Sequence, residues 1–337
     1  MKKVILASAL LALTAMFPSC FKPSNPNQKR GSSGKTLELL VVADKNVYSG
    51  SVKDSILTIL HQPQKGLNQV EQMFDVVNIP VSSLQNTDMF KAHRNLIIIT
   101  IADSNRNKAR MSHNHWAQPQ ILFEFQLSSR DSVAPFLRRY LPLIRDEVYK
   151  CEHARIFRAY KGVENHELMQ KLRNNFSFEI TVSNEYYICN MTSDFAWLRK
   201  QTNDFSIGVI IHTKPYKKTS DFDQAVILDQ LDSTMKAIPG PVDGSYMGTD
   251  RRVDAETRRV EFNDRYCMET RGLWHVLGKK AFLSGPYVNY TILTPDGEDI
   301  IMLTGYVMAP GKNKRDYLMQ AESICYTIRF TEKQSKK

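Results

Sequence analysis

The residue whose chemistry is most sharply set by its neighbours is Cys20. It follows MKKVILASALLALTAMFPS: two lysines, then an apolar run from Val4 to Phe17 broken only by Ser8 and Thr14, then a small residue, Ser19. A helix needs roughly 20 apolar residues to cross a bilayer, so the run is too short to span and has the length of a signal-peptide core. A thiol placed directly after a small residue can take a diacylglycerol, the peptidase then cuts before it, and the new amine is open to acylation. Several acyl chains hold a protein on a membrane without a spanning helix. Phe17 and Pro18 depart from the usual lipoprotein pattern; the other reading is an ordinary secretory signal with an incidental cysteine. Lipidation of Cys20 is the expectation.

Three further stretches offer chemistry. His113-Asn114-His115 puts two imidazoles two residues apart, on one side if the segment is a strand, but supplies no third or fourth metal ligand. IPGPVDGSYMGTDRR (238–252) has glycines that let a backbone approach a ligand, with Ser245, Tyr246, Asp250 and Arg251 as polar contacts. It lacks the Gly-Lys-Ser/Thr ending of a phosphate loop, and Met247 stands where a nucleophile elbow needs glycine. GLWHVLGKKAFLSGPYV (272–288) brings Trp274, Phe282 and Tyr287 together as groove or core. His275 has no evident Asp or Ser partner, so no triad is assigned. Glu298-Asp299 sits at a hairpin tip, where carboxylates are solvated. With Cys20 acylated, Cys151, Cys189, Cys267 and Cys325 allow two disulfides, but the apolar settings of Cys189 and Cys325 suit buried free thiols equally. The reading is therefore no catalytic residue, no cofactor and no metal, with Ser245, Tyr246, Asp250, Arg251 and Trp274 as a candidate ligand or partner loop.

These residues need elements to position them. LELLVVAD (37–44), VEQMFDVVNIP (70–80) and NLIIITIAD (95–103) read as buried strands, with a helix over 51–60 between the first two. Residues 105–119 read as polar and irregular, 121–127 as a strand with one wet face. From Asp131 a helical period begins, capped by Asp131 or Ser132, with Pro142 expected to kink it and a further stretch running to Tyr160. Another helix follows Gly162, over 164–175. Beyond Phe176 come short antiparallel strands, a helix from Ser220 to Lys236, a loop over 238–248, further strands, a hairpin at Pro295-Asp296-Gly297 and a closing helix over 313–328. The fold class is α+β, with two sheet-plus-helix layers or subdomains, each sheet helix-covered on one side, the second largely antiparallel. The expected division is a lipoprotein signal peptide at 1–19, a flexible tether at 20–35 (rich in Pro, Ser, Asn and Gly), an N-terminal α/β subdomain at 36–175 and a C-terminal α+β subdomain at 176–330.

The formal charge is +10. Export removes nucleic acid as a partner, leaving anionic lipid headgroups, polyanionic glycans or simple solubility. The two loop segments above, the lipidated cysteine and the ending GYVMAPGKNKRDYLMQAESI together resemble an uncharacterised lipoprotein family of Bacteroidetes, a domain of unknown function. That resemblance implies an envelope lipoprotein and supplies no activity. The expected role is a membrane-anchored envelope lipoprotein acting as a non-catalytic binding or assembly module. Its partners would be the membrane, through the N-terminal lipid, and an envelope protein, glycan or lipid. The alternatives are an envelope hydrolase with a site assembled from distant residues, or a lipid or glycan carrier. Lys22, Lys29 and Arg30 after the cysteine favour the outer membrane facing the periplasm.

Overall fold

The computed structural model describes residues 29–102, 106–176, 178–279 and 282–330. The expected signal peptide at 1–19 and Cys20 lie outside the described residues, as does the tail after 330.

The chain is α+β, as its patterning predicts. Five strands form the first sheet: β1 (Glu38–Val42), β2 (Asp75–Ile79), β3 (Asn95–Ile101), β4 (Lys108–His113) and β5 (Ile121–Leu127), in the order β2-β1-β3-β5-β4. All neighbours are parallel except β4, which runs antiparallel along the β5 edge. β4 corrects the irregular segment expected at 105–119. Its residues are polar because it is an edge strand with almost no buried side chain, so its sequence carries no hydrophobic alternation. One face of this sheet packs on α1 (Ser51–Leu60) and the long helix α4 (Val133–Tyr160). The other is covered in part by α2 (Val81–Asn86) and α3 (Asp88–Lys91), around Leu40, Val42, Leu84, Leu96 and Leu122.

α4 continues through Pro142 to Tyr160, as far as the expected helical stretch runs. Leu137, Leu141, Ile144 and Val148 bury on the same sheet before and after the proline. Both Pro142 and Arg138, whose carbonyl the proline cannot bond, are exposed, so water satisfies that carbonyl. Neither Asp131 nor Ser132 caps the helix; the Ser132 hydroxyl donates to the Ser129 carbonyl instead.

After Gly162, helix α5 (His166–Asn175) is capped by Asn165, whose Oδ1 accepts from the Leu168 amide at 3.1 Å. Leu168 and Leu172 pack on the second sheet. That sheet has eight strands: β6 (Tyr187–Met191), β7 (Phe195–Gln201), β8 (Ser206–Pro215), β9 (Tyr246–Thr249), β10 (Glu256–Phe262), β11 (Arg265–Leu277), β12 (Ser284–Leu293) and β13 (Asp299–Met308). The path is β9-β11-β12-β13-β8-β7-β6, with β10 also on β11, all antiparallel. β9 corrects the loop expected over 238–248. Its glycine and short length are tolerated at a sheet edge, where only one ladder must be made.

Helix α6 (Gln224–Met235) covers one face of this sheet and α7 (Arg315–Cys325) the other, so both sheets are packed on two sides rather than the one expected. Gly305 lets α7 sit close: a Cβ there would lie 2.7 Å from that of Ala321. The halves are locked by a long-range cap. Glu71 accepts from the amides of Lys314 (2.6 Å) and Arg315 (3.0 Å) at the start of α7, where the helix dipole favours a carboxylate. Arg315 in turn binds Asp75 at 3.0 Å.

Residues 29–35, expected within the tether, lie on the body. Arg30–Gly31 pairs in parallel with Ala117–Gln118, and the Ser33 amide donates to Ala92 at 2.8 Å.

Candidate functional site

β11 is long, and its outer edge is shared end to end by two short strands, β10 against residues 265–271 and β9 against 274–277. The connection between them, residues 250–255, must leave the ladder. The Asp250 amide holds its start by donating to Leu273 O at 2.7 Å, and Gln224 Nε2 of α6 donates to Ala255 O at its end. The gap it leaves, beside α6, is a cleft of about 490 Å³. That lies within the usual range of about 300–1,000 Å³ for small-molecule sites. Gln224 and Leu228 of α6, Thr249, Arg251 and Asp254 of the connection, and Tyr287 line it, with Asp250, Val253, Ala255 and Leu273.

Asp232 organises the wall. Its Oδ1 accepts from the Thr249 amide (2.7 Å) and hydroxyl (2.6 Å), its Oδ2 from Arg251 Nε (3.0 Å) and Nη2 (2.7 Å). Arg251 Nη2 also reaches Asp229 at 3.0 Å, leaving Nη1 without a partner among the described residues. Burial works against the Arg251 charge, but the Asp232 and Asp229 carboxylates outweigh it and raise its pKa. Asp250 is gripped by Arg252 at 2.8 Å through both oxygens, and this hydrogen bonding holds its carboxyl below the usual range.

The floor is Tyr287. Its ring lies across β11 where Gly272 stands opposite; a Cβ at 272 would come within 2.7 Å of the phenol oxygen. Tyr287 is fully buried, yet its hydroxyl has no hydrogen-bond partner among the described residues. Burial pushes its pKa up, and the Asp232 charge adds to this, so the group is a protonated donor. A buried polar group without a partner costs about 1–3 kcal/mol, which a ligand or water can relieve.

Of the residues singled out in the sequence, Asp250 and Arg251 line the cleft. Ser245 does not: its hydroxyl closes a turn onto Val242. Tyr246 is half-buried on β9, under the Lys236 ammonium at 5.6 Å. Trp274 is core, its Nε1 donating to Val307 O at 3.1 Å. His113 ends β4, and Asn114 turns left-handed (φ 54°), so His113 and His115 do not share a strand face. Among the described residues no group of three His, Cys, Asp or Glu side chains is placed to hold a metal. Cys151, Cys189, Cys267 and Cys325 are free thiols. Tyr287, named with Trp274 and Phe282 as groove or core, also lines the cleft, while Trp274 does not. Asp232, Gln224 and Leu228 were not singled out. The signal for Asp232 was an acid just off the apolar face of a predicted helix; Tyr287 gave none beyond its aromaticity.

The most perturbed charges lie elsewhere, on the opposite face of β11. Arg271 binds Glu322 at 2.6 Å and Glu269 at 3.0 Å, and Arg258 binds Glu269 at 2.8 Å. Burial would raise the Glu269 pKa, but Arg271 and Arg258 bring it down to about 2. The adjoining void, between Tyr149 and Glu322, is only about 10 Å³. It holds one water at most, so this cluster is a structural joint.

Comparison with known proteins gives two matches to family models. Residues 165–327 match one described as Domain of unknown function (DUF4837), and residues 32–161 one described as Domain of unknown function (DUF8532). Together they cover most of the chain, and the break between them falls at the turn joining α4 to α5. No curated protein matches. Among solved structures, LpqN of Mycobacterium tuberculosis, described as involved in cell envelope biogenesis, is 15% identical over 46% of this chain and 83% of its own, with a TM-score of 0.27. The lipid transfer and protein localization domain of human StarD13 is 7% identical over 48% and 95%, with a TM-score of 0.22. Human StAR-related lipid transfer protein 5 is 9% identical over 51% and 98%, with a TM-score of 0.23. Likeness this low assigns no function. Among the described residues no helix is long and apolar enough to cross a membrane.

Proposed function

We propose that the protein is a lipid-anchored binding module of the cell envelope that takes a small polyhydroxylated ligand, of the glycan class, in the cleft beside α6. The observation carrying this is an open cleft of about 490 Å³ lined by both hydrogen-bonding and apolar side chains, with the Tyr287 hydroxyl, unpartnered among the described residues, beneath it. Hydrogen-bonding groups (Arg251 Nη1, the Tyr287 hydroxyl, the Asp254 carboxylate) alternate with apolar ones (Leu228, Val253, Leu273), as a sugar's own surface does. An acyl chain would strand these polar groups without partners. An anion gains little, because Arg251 is already neutralised by Asp229 and Asp232.

Binding is favoured over hydrolysis by the lining itself. Glycoside hydrolysis needs a protonated carboxyl as general acid, and Asp250, one of two carboxylates in the lining, is kept anionic by Arg252 and so unsuited to that work at neutral pH. The test is a thermal-shift and calorimetric panel of neutral envelope-type oligosaccharides. Saturable stabilisation that disappears in R251A is expected; no saturable binding across the panel overturns the reading. Anchoring is tested separately, by metabolic labelling with an alkynyl fatty acid. Label should be lost and the protein leave the membrane fraction in C20S.

A further inference from the structure

From Lys29 onward the chain is bonded to the body. The Lys29 ammonium donates to Asn114 O and the Arg30 guanidinium to Asp88 O, before the segment enters its ladder with Ala117–Gln118. Only eight residues lie between Cys20 and Lys29, a reach of about 30 Å when fully extended. Acyl chains at Cys20 would therefore hold one particular face near the bilayer.

That face is basic. Lys108 and Arg110 lie opposite Gln126 and Glu124 on β5, on the side of the first sheet that carries α2 and α3. Lys108, Arg110 and Gln126 are exposed, so the two short helices do not cover this half of the sheet. Lys29, Arg30, Lys91, Lys108 and Arg110 stand there against two acids, Asp88 and Glu124. Asp88 is already engaged by Lys91 at 2.9 Å. Met89, 62% exposed, lies among the cations at the near end.

We infer that this face, from α3 across to β4, rests on an anionic lipid surface, so that the body is held by electrostatics as well as by its anchor. The inference rests on acylation of Cys20, and nothing in it depends on the cleft. The acyl chains at Cys20 supply the anchor, and each cation held near an anionic bilayer adds about 1 kcal/mol to the attachment and orients the body. Charge complementarity and the short reach both select the bilayer as occupant. The rival use of cations on an edge strand, to keep other strands from pairing, needs no lipid.

The experiment is hydrogen exchange on the full acylated chain reconstituted into phosphatidylcholine vesicles with and without phosphatidylglycerol. Amides of Lys108–His113 should exchange several-fold more slowly on the anionic vesicles. The protection should vanish at about 0.5 M salt, where screening is nearly complete, and in K108Q/R110Q, with residues 250–255 unaffected. Equal exchange on both vesicle types, or protection insensitive to salt, overturns the proposal. Intact mass decides acylation on its own. If the chain carries no lipid, its co-sedimentation with the anionic vesicles is measured instead. Salt-reversible binding that falls about thirty-fold in K108Q/R110Q, at about 1 kcal/mol per charge, keeps the basic face and discards the short tether; no binding discards both.

Discussion

Two arginines on the long strand's two sides make opposite use of the same chemistry. Arg271, buried against α7, gives its guanidinium to Glu269 and Glu322, and the space beside the cluster is about 10 Å³. Arg251, beside α6, binds two aspartates but keeps one amine free at the edge of about 490 Å³. Strong pKa perturbation is the usual pointer to function. Here it points to the closed cluster, where nothing can enter. Perturbation measures burial and coupling; a site also requires volume and unspent hydrogen-bonding capacity, and only the Arg251 side has them.

The sharpest way to break this contrast is to remove each arginine. R271M leaves two buried carboxylates facing each other and should cost about 3–5 kcal/mol of stability, while a triple replacement of Glu269, Arg271 and Glu322 by apolar residues should recover most of it. Urea unfolding of both variants measures this. R251A, whose side chain is 43% exposed, should cost under about 1 kcal/mol. Equal losses at the two positions would dissolve the distinction.

The closed cluster also has a pH signature. His153 stacks on Tyr326 at 4.4 Å and bonds Ser323 at 2.9 Å, and burial, helped by the Arg271 charge, lowers its pKa from 6.5 to about 3. Between those values the unfolded imidazole holds a proton that the folded one refuses. The unfolded state thus binds more protons, and stability falls as pH drops below 6.5, by up to about 1.4 kcal/mol per pH unit. Glu269, with its pKa lowered to about 2, adds loss of the same sign at lower pH. Urea unfolding at pH 7, 6 and 5 should show this slope, and H153Q should flatten it. The cleft has no such group, so ligand binding there should be level across the same range.

Between these extremes lies D232A. It deletes an acceptor used by the Thr249 amide and hydroxyl and by Arg251. The expected cost is about 1–2 kcal/mol, with loss of saccharide binding because β9 and the cleft wall are no longer pinned. A D232A protein that binds normally would mean the wall is not pre-organised by α6.

The architecture was largely legible, the site only in part. Dense Leu, Ile and Val runs announced β1, β3 and β5, and the Val52, Ile56, Leu60 spacing announced α1. β4 was illegible because an exposed edge strand has no apolar face to alternate. Asp250 and Arg251 stood out as polar residues in a glycine-rich stretch. Tyr287 stood out only as one aromatic of a groove or core, and Asp232 not at all, since the two meet only through sheet order: β9 must pair with β11, and α6 must cross behind it. Nor could METR in β11 be read as a buried ion cluster, because its partner Glu322 lies on another element.

Tyr287→Phe is expected to have the smallest effect on folding and the most informative effect on binding. The phenol oxygen has no partner among the described residues, so its removal strands nothing; the apolar ring remains packed over Gly272. Deleting an unsatisfied buried hydroxyl is neutral or slightly stabilising, so unfolding should change by less than about 0.5 kcal/mol, in the stabilising direction. A bound saccharide would lose one buried hydrogen bond, and its affinity should fall about tenfold, equivalent to about 1.4 kcal/mol. The same deletion at Tyr306, whose hydroxyl accepts from Trp197 Nε1 at 2.9 Å, strands a buried donor and should destabilise without touching binding. Calorimetry on both variants separates a hydroxyl kept for a ligand from one kept for the fold. If Y287F is destabilised as Y306F is, the hydroxyl serves the core and the cleft loses its floor as a binding group.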